Sequence, residues 1–232
     1  MNDFQLEQLR QGYLDDHSWQ DCLSAPARRV IAELVQHREF AGSTDPATLN
    51  ALWLLVTRTK PERVLQIGTH IGLSALFLAD VMRQQRPDTR LFTIEPDTSV
   101  LEISREFIAA AGLEPFVTFV EGFSTDAGVA DALRPHRAFT LVYLDSSHSY
   151  GSTLRELEII FEEEKWLDAN GMLILHDAAH EAVGFDPTGE GGVRRAIDEW
   201  MAARGSDYQM VILEPPLWQS VCGIALMRRT SA

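Results

Sequence analysis

The sequence predicts an α/β protein: a doubly wound, mostly parallel seven-stranded sheet with an antiparallel C-terminal hairpin strand, preceded by an N-terminal helical cap. Three observations predict it. Short apolar runs alternate with helical periods from Val64 to Ala203, which is the pattern of strands joined by crossover helices. The first run, Val64 to Ile67, stops at Gly68, and a second glycine, Gly72, precedes the next helical pattern. The last two runs, Tyr208–Leu213 and Val221–Met227, leave no room for a crossover helix between them, so they must be antiparallel.

Residues 1–60 read as helices. Leu6, Leu9 and Tyr13 share a face, and Val30, Ile31, Leu34 and Val35 repeat with helical period between Asp21 and Phe40. In S-T-D-P, Asp45 is a helix N-cap and Pro46 the first helical residue of a segment that carries Leu49, Leu52, Trp53 and Val56. After the glycine turn come a helix from Leu73 to Met82, a strand from Leu91 to Ile94 ending at Glu95, and a helix from Ser99 to Ala111. A strand from Val117 to Val120 ends in E-G-F-S-T-D, and a short helix covers Val129–Leu133. Thr140–Leu144 is a strand ending at Asp145, Ser152–Trp166 a helix, and Gly171–Leu175 a strand ending at His176-Asp177. The glycine-rich stretch Gly184–Gly192 reads as a lid before a helix over Val193–Ala203. Residues 61–232 are expected to form one compact domain under the cap.

The chain has 232 residues, 45% of them hydrophobic, enough for a sizeable core. A net charge of −14 with no basic cluster argues against a nucleic-acid partner. The longest apolar run, Ala51–Val56, is too short to span a bilayer. Cys22 and Cys222 fit free thiols in a reducing compartment, and the N-terminus lacks the features of a signal peptide, so a cytoplasmic location is expected.

A glycine turn after a parallel strand lets a ligand lie against bare backbone, with helix N–H groups facing an anionic group. An acid at the end of the second strand, here Glu95, can accept hydrogen bonds from ribose hydroxyls. The dinucleotide pattern G-x-G-x-x-G fails, because its second glycine is His70. That speaks against an NAD-type oxidoreductase.

The ordered set I-G-T-H-I-G-L-S, I-E-P-D, E-G-F-S-T-D, Y-L-D-S-S-H-S-Y and G-M-L-I-L-H-D resembles the class I S-adenosylmethionine (SAM) dependent methyltransferases over Pro61–Arg228. It is most similar to small O-methyltransferases of the catechol, caffeoyl-CoA and bacterial sugar and natural-product types. The resemblance implies a Rossmann-like fold with SAM as methyl donor, a small hydroxylated substrate and a homodimer. It implies that Gly68, Thr69 and Gly72 line the methionine part of SAM, with Ser74 near the carboxylate and Glu95 on the ribose. Phe123 would lie against the adenine ring, Ser124 at its edge, and Asp145 at the amino group or a metal. Gln66 stands where many relatives carry an acid.

Asp145 and Asp177 end strands expected to be neighbours, so their carboxylates can share a hard divalent cation, with magnesium preferred. In the metal-dependent relatives a third ligand follows the second aspartate. Here that residue is Ala178, and His176, His180, Glu190 or water remain as options. The alternative is that Asp145 serves SAM alone. His148, three residues after Asp145, suits a general base for the acceptor hydroxyl, or else caps the following helix. N-methyl transfer and non-catalytic SAM binding remain open at this point.

Overall fold

The computed structural model describes residues 3–230. The chain gathers into two compact units. One takes the chain up to Glu62 with Thr69–Leu91 and Asp97–Thr118; the other takes Arg63–Gly68, Phe92–Pro96 and the chain from Phe119 onward.

The first unit is helical. Its elements are α1 (Asp3–Asp15), α2 (Ala25–Val35), α3 (Pro46–Thr59), α4 (Leu73–Gln85) and α5 (Thr98–Ala110). Asp45 caps α3 by accepting from the Thr48 N–H at 3.1 Å, as the S-T-D-P signal implies, and Ser24 caps α2. Such caps contribute about 1 kcal/mol each. The apolar period of α2 buries Val30, Ile31, Leu34 and Val35. Every residue of α4 from Leu73 to Met82 is buried, more than a single apolar face requires, because α2, α3 and α5 pack around it. One of those residues is Asp80, whose carboxylate accepts from the Ser24 backbone N–H and hydroxyl at 2.8 and 2.6 Å. Trp19, with Tyr13 and Phe77 against its ring, is wholly buried. Trp53, read from the sequence as core or cap packing, is 39% exposed: the buried stripe of α3 is Leu49, Leu52 and Val56, and Trp53 falls one residue off it.

The sheet has the order β3-β2-β1-β4-β5-β7-β6. Its strands are β1 (Arg63–Ile67), β2 (Arg90–Glu95), β3 (Val117–Glu121), β4 (Phe139–Leu144), β5 (Leu167–His176), β6 (Tyr208–Leu213) and β7 (Ile224–Arg229). β1 runs parallel to β4, and β4 to β5. β7 runs antiparallel to both β5 and β6, as the short connection from Leu213 dictates. The winding reverses between β1 and β4, and a crevice at such a point is where open α/β sheets take ligands. The second unit adds α6 (Ala127–Leu133), α7 (Tyr150–Glu158) and α8 (Gly192–Arg204). Its core joins Leu65, Ile67, Val142, Leu173 and Leu175 of the sheet to Leu157, Ile160, Trp166 and Trp200.

The expected helix to Trp166 ends early. α7 stops at Glu158, and one π turn, Ile159–Glu163, brings Ile159, Ile160 and Phe161 all inward. β5 consequently starts at Leu167, four residues before Gly171.

Candidate active site

The glycine turn is tight because it must be. Gly68 has φ +93°, and a Cβ there would lie 1.9 Å from the Asp145 carbonyl oxygen. The Asp145 N–H donates to the Ile67 carbonyl at 2.8 Å and the Gly68 N–H to the Ile94 carbonyl at 3.0 Å, so the ends of β1, β2 and β4 are locked together. Gln66, fully buried, donates its side-chain N–H to the Gly68 carbonyl at 2.7 Å. An acid at this position has no N–H to give, so the amide braces the turn from beneath. Glu95 ends β2, nearly buried, and its carbonyl accepts from the Gly122 N–H at 3.1 Å.

Thr69, Gly72 and Ser74 belong to the helical unit. Thr69 and Ser74 are buried there, and Gly72, at φ +93°, caps α4 with its Cα packed against Ser104.

Four titratable groups gather past the ends of β4 and β5. The Asp145 carboxylate accepts from the Tyr143 hydroxyl at 2.8 Å and lies 3.2 Å from His176 Nδ1. His176 Nδ1 is also 3.0 Å from Asp177 Oδ2, and His148 Nδ1 is 2.5 Å from that same oxygen. Carboxylate and imidazole atoms of Asp145, His148 and Asp177 lie within 4.8 Å of one another. His148 and Asp177 both have left-handed backbones, φ +56° and +55°. For non-glycine residues that conformation is strained, and it turns both side chains to one place.

The charges sustain one another. Burial pushes the His176 imidazole down, but the Asp145 charge, Tyr143 and the bonds to both aspartates carry it well above its ordinary range. Burial likewise opposes the charge on His148, and Asp177 overcomes it and raises the imidazole. Burial pushes the Asp145 and Asp177 carboxyls up, yet the histidines hold both below the usual carboxylate range.

On the other side of the sheet's reversal, Phe123 is 62% exposed and its N–H is tied to Asp126 at 2.8 Å. The Ser124 hydroxyl donates to Glu156 Oε1 at 2.6 Å, so it is engaged from below. Glu156 and Tyr143 escaped the reading of the sequence. A signal existed for Glu156: Thr153, Glu156, Leu157 and Ile160 follow the helical spacing of a buried face, and an acid on it needs a partner.

The stretch Gly184–Gly192 is more constrained than a lid of glycines suggests. A helical turn, His180–Phe185, leads into Asp186. Asp186 Oδ2 accepts from the N–H groups of Glu190, Gly191 and Gly192, and its Oδ1 from the N–H and hydroxyl of Thr188. A Cβ on Gly192 would sit 3.1 Å from the His148 carbonyl, so this knot abuts the His148 loop.

A family model described as a methyltransferase domain matches residues 65–178. The chain is 28% identical over 165 residues to the rhamnosyl O-methyltransferase of Mycobacterium tuberculosis (strain H37Rv), covering 67% of this chain and 61% of that protein. It is 34% identical over 119 residues to catechol O-methyltransferase B of Danio rerio, covering 50% and 43%. The matched segment thus spans less than two thirds of either relative. The crystal structure of the O-methyltransferase TomG from Streptomyces achromogenes, in complex with SAM and involved in tomaymycin synthesis, superposes with a TM-score of 0.67 at 25% identity, over 94% of this chain and 91% of that one.

Proposed function

We propose that the chain, whose residues 65–178 match a methyltransferase-domain family model, is a SAM-dependent O-methyltransferase acting on a hydroxyl of a small molecule. What carries the reading is the convergence at the sheet's reversal: bare glycine backbone at Gly68 against Asp145, with His148 and Asp177 within hydrogen-bond reach of the same cluster. The named relatives act as O-methyltransferases, in line with an oxygen acceptor.

In this reading His148 is the general base. Asp177 accepts the hydrogen bond of the His148 Nδ1–H, which leaves the Nε2 lone pair to take the acceptor's proton. The residues around Gly68 and Glu95 would hold SAM, which would supply an electrophilic methyl sulfonium to the acceptor oxygen, with proximity providing much of the acceleration. The carboxylates of Asp145 and Asp177, joined by His176 once its Nδ1 gives up its proton, form an oxygen-rich donor set that would hold a divalent cation. Bound there, magnesium or manganese would orient the acceptor oxygen and lower its pKa. The close grouping of Asp145, His148 and Asp177 favours a second reading, with His148 as the nitrogen ligand in place of the base.

Calorimetric titration of SAM into EDTA-treated protein, repeated with magnesium, tests both layers. Micromolar SAM binding supports the donor site; its absence under both conditions refutes it. Magnesium binding that disappears in Asp177→Ala supports the cation site, and magnesium binding unchanged in Asp145→Ala and Asp177→Ala removes it.

A further inference from the structure

One buried side chain ties together two loops that the sheet holds apart. Ser124 follows β3 and Ser146 follows β4, and β2 and β1 lie between those strands. At about 4.8 Å per strand that is about 14 Å of sheet. Glu156 comes up from the inward face of α7 and is 3% exposed. Its Oε1 accepts from the Ser124 hydroxyl at 2.6 Å and its Oε2 from the Ser146 hydroxyl at 2.7 Å. A buried carboxylate is costly unless satisfied, and here each oxygen is satisfied by a different loop. The rest of the Ser124 loop is tied to itself, with the Phe123 N–H on Asp126 Oδ2 and the Asp126 N–H on the Phe123 carbonyl. Those internal bonds cannot set its distance from β4; Glu156 can. Ser124 adjoins the exposed Phe123 ring, and Ser146 adjoins Asp145.

We infer that Glu156 is a positioning residue: its two oxygens clamp the Phe123–Ser124 loop to the Asp145–Ser146 loop and set the span across which the methyl donor is gripped. The clamp deepens the methyltransferase reading and rests on it for its purpose. A carboxylate of this length fits it best. Glutamine keeps one accepting oxygen and turns an N–H donor toward the other hydroxyl, and aspartate is one methylene short of the span.

The test uses the intact chain and the variants Ser124→Ala, Ser146→Ala, the double variant, Glu156→Gln and Glu156→Leu. Amide hydrogen exchange on ligand-free protein reads the clamp itself. The reporters are the Gly122 N–H, bonded to the Glu95 carbonyl, and the Asp145 N–H, bonded to the Ile67 carbonyl. Cutting either hydroxyl is expected to speed exchange in both loops; exchange that rises only in the loop carrying the substitution overturns the clamp. SAM calorimetry reads its purpose. Each serine variant is expected to bind SAM roughly tenfold more weakly and the double variant no more weakly than either, because one cut already opens the clamp. A product of the two losses, or no loss, overturns the positioning role. Glu156→Leu should match the double variant and Glu156→Gln should lie between it and the unchanged protein. If Glu156→Leu does not fold, the serine variants carry the decision. Unchanged protein that binds no SAM refutes the methyltransferase reading and this role together, whereas SAM binding without coupled exchange refutes the clamp alone.

Discussion

Gly68→Ala is the substitution whose cost can be worked most directly. The backbone of Gly68 is left-handed, at φ +93°, and a side chain there costs about 1–2 kcal/mol from local sterics. The added Cβ would also stand 1.9 Å from the Asp145 carbonyl oxygen and 2.6 Å from the carbonyl carbon. An ordinary carbon–oxygen contact lies at about 3.3 Å, so the chain at Asp145 must retreat by about 1.4 Å. That backbone is held to Ile67 by its own N–H, and Asp145 carries bonds to Tyr143 and His176, so nothing flexible can yield. Forced overpacking adds about 1–3 kcal/mol, for a total near 3 kcal/mol. In a chain of this length such a loss lowers Tm by roughly 6–12 °C. A shift of about 1 Å at a reacting centre is worth about a hundredfold in rate. Calorimetric unfolding and the rate of SAM consumption with a hydroxylated acceptor check both figures on Gly68→Ala, and SAM titration reads the donor site. A Tm within roughly 2 °C of the unchanged protein, with SAM affinity intact, would refute the locked turn.

Four other outcomes are expected. His148→Ala should keep SAM binding and lose roughly 10²–10⁴-fold in SAM consumption with a hydroxylated acceptor. Because Asp177 raises the His148 imidazole, the base is free only at higher pH, so the rising limb of kcat/KM should sit above pH 6.5; a limb below that value removes His148 as the base. For Asp186, burial pushes the carboxyl up, but Thr188 and the backbone N–H groups of Glu190 and Gly192 hold it down to about 2. Its folded value lies below the unfolded one of about 3.9, so its contribution is present above that pH and lost as pH falls through about 2. The Tm difference between Asp186→Asn and the unchanged protein should therefore be full at pH 6 and shrink toward pH 2; a difference that does not change with pH assigns the loss to shape alone. Burial pushes the Cys22 thiol up to about 12, which cuts its thiolate fraction near neutral pH by roughly a thousandfold, so it should resist iodoacetamide until urea unfolds the chain.

The fold was legible where local physics repeats. Apolar runs of strand length marked β1 to β7, and the lack of room after Leu213 made the last pairing antiparallel. The cap at Asp45-Pro46 was legible because the Asp45 side chain accepts from a backbone N–H only three residues on. The end of α7 was not: the helical pattern continues to Trp166, and only packing of Ile159, Ile160 and Phe161 on one core explains the π turn. The exposure of Trp53 was not legible either, since its neighbours Leu52 and Val56 fill the buried stripe.

The sequence by itself determined the kinds of group at the candidate site and their order: glycine, acid, serine, aspartate, histidine, aspartate, each at or after the end of a strand. Strand ends are set by short-range pattern, so those groups could be placed on one edge of a sheet without coordinates. Only the tertiary structure decided which of them touch. His176 and His148 meet the same Asp177 oxygen, Gln66 turns to the Gly68 carbonyl, and Ser124 and Ser146 share Glu156, residues up to 32 positions apart. Such pairings depend on side-chain direction and on left-handed backbone at His148 and Asp177, which neighbouring residues do not encode and the packed sheet imposes.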